Sequence, residues 1–141
     1  MCIRDRCKKA GILTYAMFIV GFPGETAATI QQTINYINES GPDFYALSPW
    51  CYITSAPIHT QRLKYGLTGQ NNHWRHNTMH SGEVQQYILN IYQHVYNSTL
   101  LAFNYTFLFQ LLYHNVPLKK ILEINKDKIK QILQSLSIAP I

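Results

Sequence analysis

Hydrophobic and polar positions along this chain change period several times, and each change marks an element. Residues 7–11 read as the end of a helix, with Lys8 and Lys9 in the last turn and Gly11 where a left-handed stop is wanted. Residues 12–22 are apolar almost throughout and lose polar alternation after Thr14. That predicts a strand covered on both faces of a parallel sheet. The stretch GFPGET at 21–26 breaks the run, and Thr26 or Glu25 can cap a following helix on which Ile30, Ile34 and Ile37 sit at helical spacing. This helix stops at Gly41-Pro42. Residues 44–53, FYALSPWCYI, predict a second strand that ends or bends near Pro49. Strand, helix and strand in this order make one right-handed crossover with parallel strands.

The pattern then loosens. Residues 54–82 are polar, glycine-bearing and histidine-rich, too long for a plain connection and so a candidate functional loop. Helical periodicity returns with Val84, Tyr87, Ile88, Ile91, Tyr92 and Val95 on one face. Residues 100–113 are apolar nearly all round, which predicts a buried helix, with Phe103, Tyr105, Phe107, Phe109 and Tyr113 as its packing. Pro117 suits the first turn of another helix, and Ile129, Ile132, Leu133 and Leu136 form the face of a last one opening near Asn125.

Composition narrows the function classes. Of 141 residues, 47% are hydrophobic and only 13% charged, against about 25% charged in ordinary domains; disorder is excluded. Twelve Lys and Arg against seven Asp and Glu give +5. The excess is spread thinly, with its densest run at Lys119, Lys120, Lys126, Lys128 and Lys130, read as a solvated helix face, so nucleic-acid binding is not implied. Three cysteines, Cys2, Cys7 and Cys51, do not make a disulfide framework, and a reducing, cytoplasmic compartment is the simpler inference. The longest apolar run falls short of the roughly 20 residues that cross a bilayer. No membrane is expected.

The first six residues, Met1-Cys2-Ile3-Arg4-Asp5-Arg6, resemble an in-frame translation of the transposon mosaic-end adaptor used in sequencing libraries. Such a scar is set aside from fold reasoning. It leads to the expectation that the chain is the C-terminal fragment of a longer protein.

Candidate chemistry gathers around GFPGET. Gly21 and Gly24 allow backbone to approach a ligand closely, and the helix starting near Thr26 would offer amide hydrogens toward the mouth of the sheet, where ligands of parallel sheets lie. The same residues also suit a plain turn. His73, His76 and His80 could share a helical face and ligate a metal, but no acid or cysteine completes them, so a polar loop is the stronger reading. Trp74, Arg75 and His76 are candidates for lining a substrate cavity, where Arg could pair with a carboxylate or phosphate. Tyr45, Trp50 and Tyr52 could face the same interior or simply be core.

The segment MFIVGFPGET, its amphipathic helix and the strand ending in Pro-aromatic resemble the fifth strand, following helix and sixth strand of the radical S-adenosylmethionine enzymes. In that family the strand carries an Ile-x-Gly element that packs on the adenine of the cofactor, and the matching positions are Ile19 and Gly21. Met17 stands where the family often has Gly, and the acid falls at Glu25. The turn Thr54-Ser55-Ala56-Pro57-Ile58 resembles the family's Pro-Gly-Thr-Pro turn, and YGLTGQNNHWRHNTMHSGE resembles the extension of cobalamin-binding members near the phosphinate methyltransferases.

The resemblance implies an α/β fold: the C-terminal strands and helices of a partial (β/α) barrel followed by an α-helical extension. The corresponding organisation is 1–6 adaptor, 7–58 end of the barrel, 59–82 polar loop and 83–141 helical extension. It implies cofactor contacts at Ile19, Gly21, Pro23, Gly24 and Pro49, and substrate contacts at Trp50, Tyr52, Trp74, Arg75 and His76. The implied cofactors are S-adenosylmethionine, a four-iron four-sulfur cluster whose Cys-x-x-x-Cys-x-x-Cys ligands lie outside this chain, and cobalamin. Implied partners are a small-molecule or peptide substrate and an electron donor such as flavodoxin or ferredoxin. The implied reaction is reductive cleavage to a deoxyadenosyl radical, with methyl transfer as the cobalamin-dependent outcome; the fragment alone should not catalyse it. The alternatives are another radical class, such as a methylthiotransferase or cyclase, and a non-catalytic helical interaction domain.

Overall fold

The computed structural model describes residues 3–135, and the chain divides between Thr99 and Leu100 into two compact units. Met1 and Cys2 of the adaptor-like stretch, and Leu136 of the last apolar face, lie outside the described residues.

In the first unit, helix α1 (Ile3–Lys9) leads through Gly11, with φ of +70°, toward strand β1 (Tyr15–Val20). Helix α2 (Ala27–Ser40) and strand β2 (Phe44–Pro49) follow. The strands pair in parallel, with Tyr15 opposite Phe44 and Val20 opposite Pro49, so the expected crossover is present. Thr26 caps α2 by accepting from the Thr29 amide while the Thr29 hydroxyl accepts from the Thr26 amide. At the N-terminal end of the sheet, the Thr14 amide and hydroxyl donate to the Asp43 carboxylate at 2.7 and 2.6 Å, and the Asp43 amide donates to the Thr14 hydroxyl at 3.0 Å. Burial alone would raise the pKa of Asp43; the Thr14 bonds and the charge of Lys8 outweigh it and lower the pKa.

The segment 54–82, expected as a polar loop, is folded. A 3₁₀ turn (Pro57–Gln61) and the short helix α3 (Arg62–Tyr65) lead into an antiparallel sheet of β3 (Thr68–Gln70), β4 (His73–His76) and β5 (Met79–His80). Gly69 pairs with Trp74 and Arg75 with His80. His73, His76 and His80 therefore lie on strands rather than one helical face. The two-residue period of a strand turns Trp74 and His76 inward and leaves His73 and Arg75 exposed. Strands of two to four residues give too little alternation to stand out among polar neighbours.

Helix α4 (Val84–His94) packs against α2 and both parallel strands, burying Val84 and Ile91. Ile30, Ile34 and Ile37 of α2 are fully buried, each contributing roughly 1.5–3 kcal/mol relative to exposure. Thr99 donates its amide to the Asp43 carbonyl at 3.2 Å and begins the two-residue strand β6 (Thr99–Leu100), third in the order β1-β2-β6. The fold of this unit is mixed α/β with an open three-stranded sheet.

The expectation that β1 is covered on both faces does not hold. Ala16, Phe18 and Val20 alternate toward the helices, and Phe18 meets Tyr36 of α2 edge to face at 6.2 Å. Met17 and Ile19 point the other way and are 62% and 58% exposed. The helices α2 and α4 lie on the side of Phe18 and Val20, and on the other side of β1 Met17 and Ile19 form an exposed apolar surface next to the half-buried Tyr15.

In the second unit, Asn104 caps α5 (Tyr105–Tyr113) by accepting from the Phe107 amide at 2.8 Å. A single helix α6 (Leu118–Ser135) follows, in place of two helices divided near Asn125. Asn125 is buried in mid-helix, where its carboxamide accepts from the Ala102 amide and donates to the Leu100 carbonyl, both at 2.8 Å. The lysines of α6 are exposed as predicted. Helix α5 is not the buried element its apolar content predicts: Leu108 is buried, whereas Phe109 and Tyr113 are 58% and 83% exposed. Phe103–Phe107 and Tyr105–Phe109 pack edge to face on one another, at 5.2 and 6.1 Å. No helix among the described residues is long and apolar enough to cross a membrane.

Candidate functional site

The glycine turn that ends β1 is built from its own backbone outward. Gly21 has φ of +95°, and a Cβ there would stand 2.7 Å from the Trp74 ring and 2.9 Å from Val84. Glycine is required twice over, by conformation and by the close approach of the indole. The side chain of Glu25 folds back so that its carboxylate accepts from the Gly21 amide, with a further backbone bond from Phe22. The turn is thereby capped by the chain's own anion. Burial raises the pKa of Glu25, and the two amide bonds partly offset the rise. The amides at 21 and 22, which the glycine pattern offers to an incoming anion, are already engaged.

The meander straps the turn from above. His76 is 3% exposed, and its Nε2 lies 3.3 Å from the Gly21 carbonyl. A carbonyl can only accept, so Nε2 carries the proton and donates. The Thr78 hydroxyl donates to the Glu25 carbonyl at 2.7 Å, and the Thr78 amide donates to His76 Nδ1 at 3.4 Å. Both ends of the turn are therefore tied to the β4–β5 hairpin. Burial lowers the pKa of His76, opposed by the Gly21 bond and the charge of Glu83, so the ring is neutral near pH 7.

An aromatic chain continues the strap to β2. Trp74 stacks on His76 with ring centroids 5.2 Å apart and planes 6° from parallel, and its Nε1 donates to the Trp50 carbonyl at 2.9 Å. Trp50 meets Trp74 at 5.0 Å, Phe22 at 5.7 Å and Tyr52 at 5.7 Å. The Tyr52 hydroxyl bonds His59 Nδ1 at 2.7 Å. The Trp50 amide donates to the Val20 carbonyl at 2.8 Å, which puts this cluster at the C-terminal rim of the parallel strands.

The residues proposed from sequence thus divide into groups. Gly21, Pro23, Pro49, Trp50, Trp74 and His76 gather at that rim, with Gly24 at the exposed outer side of the turn. Ile19 stands on the bare face of β1. Tyr52 is buried against His59, and Arg75 faces outward from β4, in a shallow depression shared with His80 and Glu83. Glu25, expected as an alternative to Thr26 for capping α2, instead ties the turn to its own backbone, and Thr78 joins that turn from a position 53 residues away, which no local pattern signals. Cys7 is half-buried and Cys51 exposed, both as free thiols. Among the described residues no three His, Cys, Asp or Glu side chains converge. Comparison with known protein families, characterised proteins and solved structures finds no match to this chain.

Proposed function

We propose that this chain is the C-terminal part of a radical S-adenosylmethionine enzyme, contributing the last parallel strands of a partial barrel and a helical extension. The observation that carries the reading is the bare apolar face of β1. Met17 and Ile19 stand exposed on a parallel strand whose opposite face packs through Phe18 and the buried Val20, whereas parallel sheets are normally covered on both sides. Among the described residues β1 stands first in the sheet order, the edge position at which a further strand can pair.

The residues present suit the nucleoside end of the cofactor in part. Ile19 offers an apolar surface to a planar base, while Gly21 shapes the rim from beneath, covered by Trp74 and Val84 and bonded to Glu25 and His76. The turn's amides are held by Glu25, so it is suited to an uncharged nucleoside and not to a phosphate. They do not suit an iron-sulfur cluster, since Cys2, Cys7 and Cys51 have no Cys-x-x-x-Cys-x-x-Cys spacing. In this reading the chain's own residues hold the base, fix the rim through the His76 strap and keep water from the aromatic cluster.

Genomic sequence extended upstream of Cys7 tests the reading. The expected result is one continuous frame encoding that cysteine triplet ahead of several strand-helix repeats. A stop codon immediately before this methionine, or an upstream frame without the triplet, would overturn it.

A further inference from the structure

A cavity of about 160 Å³ opens beside the glycine turn, between the end of β2 and the start of α4. It is well above the ~15 Å³ that holds one water and below the ~300 Å³ of a pocket for a whole ligand. That is the scale of a subsite for one small group. Pro49, Trp50 and Trp74 form its apolar wall, and Asn72, Ser81 and Gln85 its polar side. Trp74 is fixed at both ends of its ring system, by the bond from Nε1 to the Trp50 carbonyl and by the stack on His76. Its one polar atom is used inside the wall, so polar recognition falls to the other side.

There the chemistry is specific. Asn72 and Gln85 are exposed carboxamides, each able to donate and accept. No Lys, Arg, Asp, Glu or His lines the cavity among the described residues. A charged group entering it would meet no counter-charge. We propose that this cavity is a binding subsite for a small uncharged planar amide, which lies against the indoles and pairs with the two carboxamides. The inference rests on the ligand end of the parallel crossover and stands apart from the S-adenosylmethionine reading.

The sequence holds two tryptophans and both line the cavity, so their emission and their indole N–H resonances report occupancy directly. The probes are benzamide, benzoate and benzylamine, of one shape and three charges, titrated into the full chain. Benzamide should saturate with a low-millimolar Kd, the weakness expected for a fragment, with the two ions at least tenfold weaker. Gln85→Leu, at an exposed helix position, should leave the thermal transition in place and weaken benzamide about fivefold. Equal binding of benzamide and benzoate, an unsaturable response, or no effect of Gln85→Leu would each overturn the proposal. Titration with 5′-deoxyadenosine, read at Ile19 and Gly21, runs in parallel. Loss of that response with benzamide binding retained would count against the nucleoside reading alone.

Discussion

Helices α2 and α5 invert the relation between apolar content and burial. α2 is mostly polar, yet its three isoleucines at i, i+4 and i+7 are all but inaccessible between the sheet and α4. α5 carries seven apolar or aromatic side chains in nine residues, and Leu108 is its one fully buried member. Burial is decided by a continuous apolar face and not by apolar content. α2 presents one stripe to a surface that fits it, whereas α5 presents apolar groups in every direction and no single surface can take them all. Unit two is pinned at its centre by a polar device, the Asn125 carboxamide on two backbone groups.

Truncating the α2 stripe should have the largest effect. Ile37→Ala should destabilise the protein by about 2–5 kcal/mol, the range for a fully enclosed aliphatic, read as a fall in the urea midpoint with the slope unchanged. A loss under about 1 kcal/mol would mean that α2 can collapse onto the sheet without it. Next in size is Gly21→Ala, at about 3 kcal/mol, because the new methyl meets Trp74 and Val84 while the backbone holds a positive φ. Gly11→Ala is the control: its φ is also positive, but nothing lies within 4 Å, so about 1 kcal/mol is expected. Equal losses at the two sites would show that conformation alone, and not the indole, dictates Gly21.

In the second unit, Asn125→Ala should cost about 1–3 kcal/mol by leaving the Ala102 amide and Leu100 carbonyl unpaired away from water. Chemical unfolding followed at α6 amides checks it. A neutral result would mean that water replaces the carboxamide.

These sites also show what the sequence can and cannot say. The crossover was legible because Ile30, Ile34 and Ile37, Thr26 and Gly41 each act through local geometry that one sequence displays. The bare face of β1 was not legible: Met17 and Ile19 look identical to Val20 in composition, and only the placement of α2 and α4 on one side distinguishes them. Asn125 read as a helix start because Asn favours caps, and its partners lie more than twenty residues away in sequence. A longer separation, 55 residues, hid the His76 bond to Gly21, whereas the glycine turn itself was plain in Gly21-Phe22-Pro23-Gly24.

That strap gives a smaller, pH-dependent test. The folded-state pKa of His76 is lowered from 6.5, so below pH 6.5 the unfolded chain binds more protons than the folded one. Stability is full above pH 6.5 and is lost as pH falls toward the depressed folded value, by up to about 1 kcal/mol per pH unit. His76→Gln should flatten this slope, as measured by chemical unfolding from pH 7 downward. An unchanged slope would assign the acid sensitivity to other groups.

The smallest expected effect is the most discriminating for α5. Phe109→Ser alters a side chain that is mostly in water and touches Tyr105 edge on. If α5 stands open as described, the change should fall within about 0.5 kcal/mol of zero, as at other surface positions. Leu108→Ala, one residue earlier on the buried side, should cost about 2–5 kcal/mol. The pair holds helix propensity and sequence position nearly constant, so their ratio reads burial alone. A loss above 1 kcal/mol for Phe109→Ser that grows with protein concentration would mean that copies of the chain cover this face in solution, since mass action ties such stability to concentration. A concentration-independent loss would mean that Phe109 packs within the chain, and α5 would then resemble α2 after all.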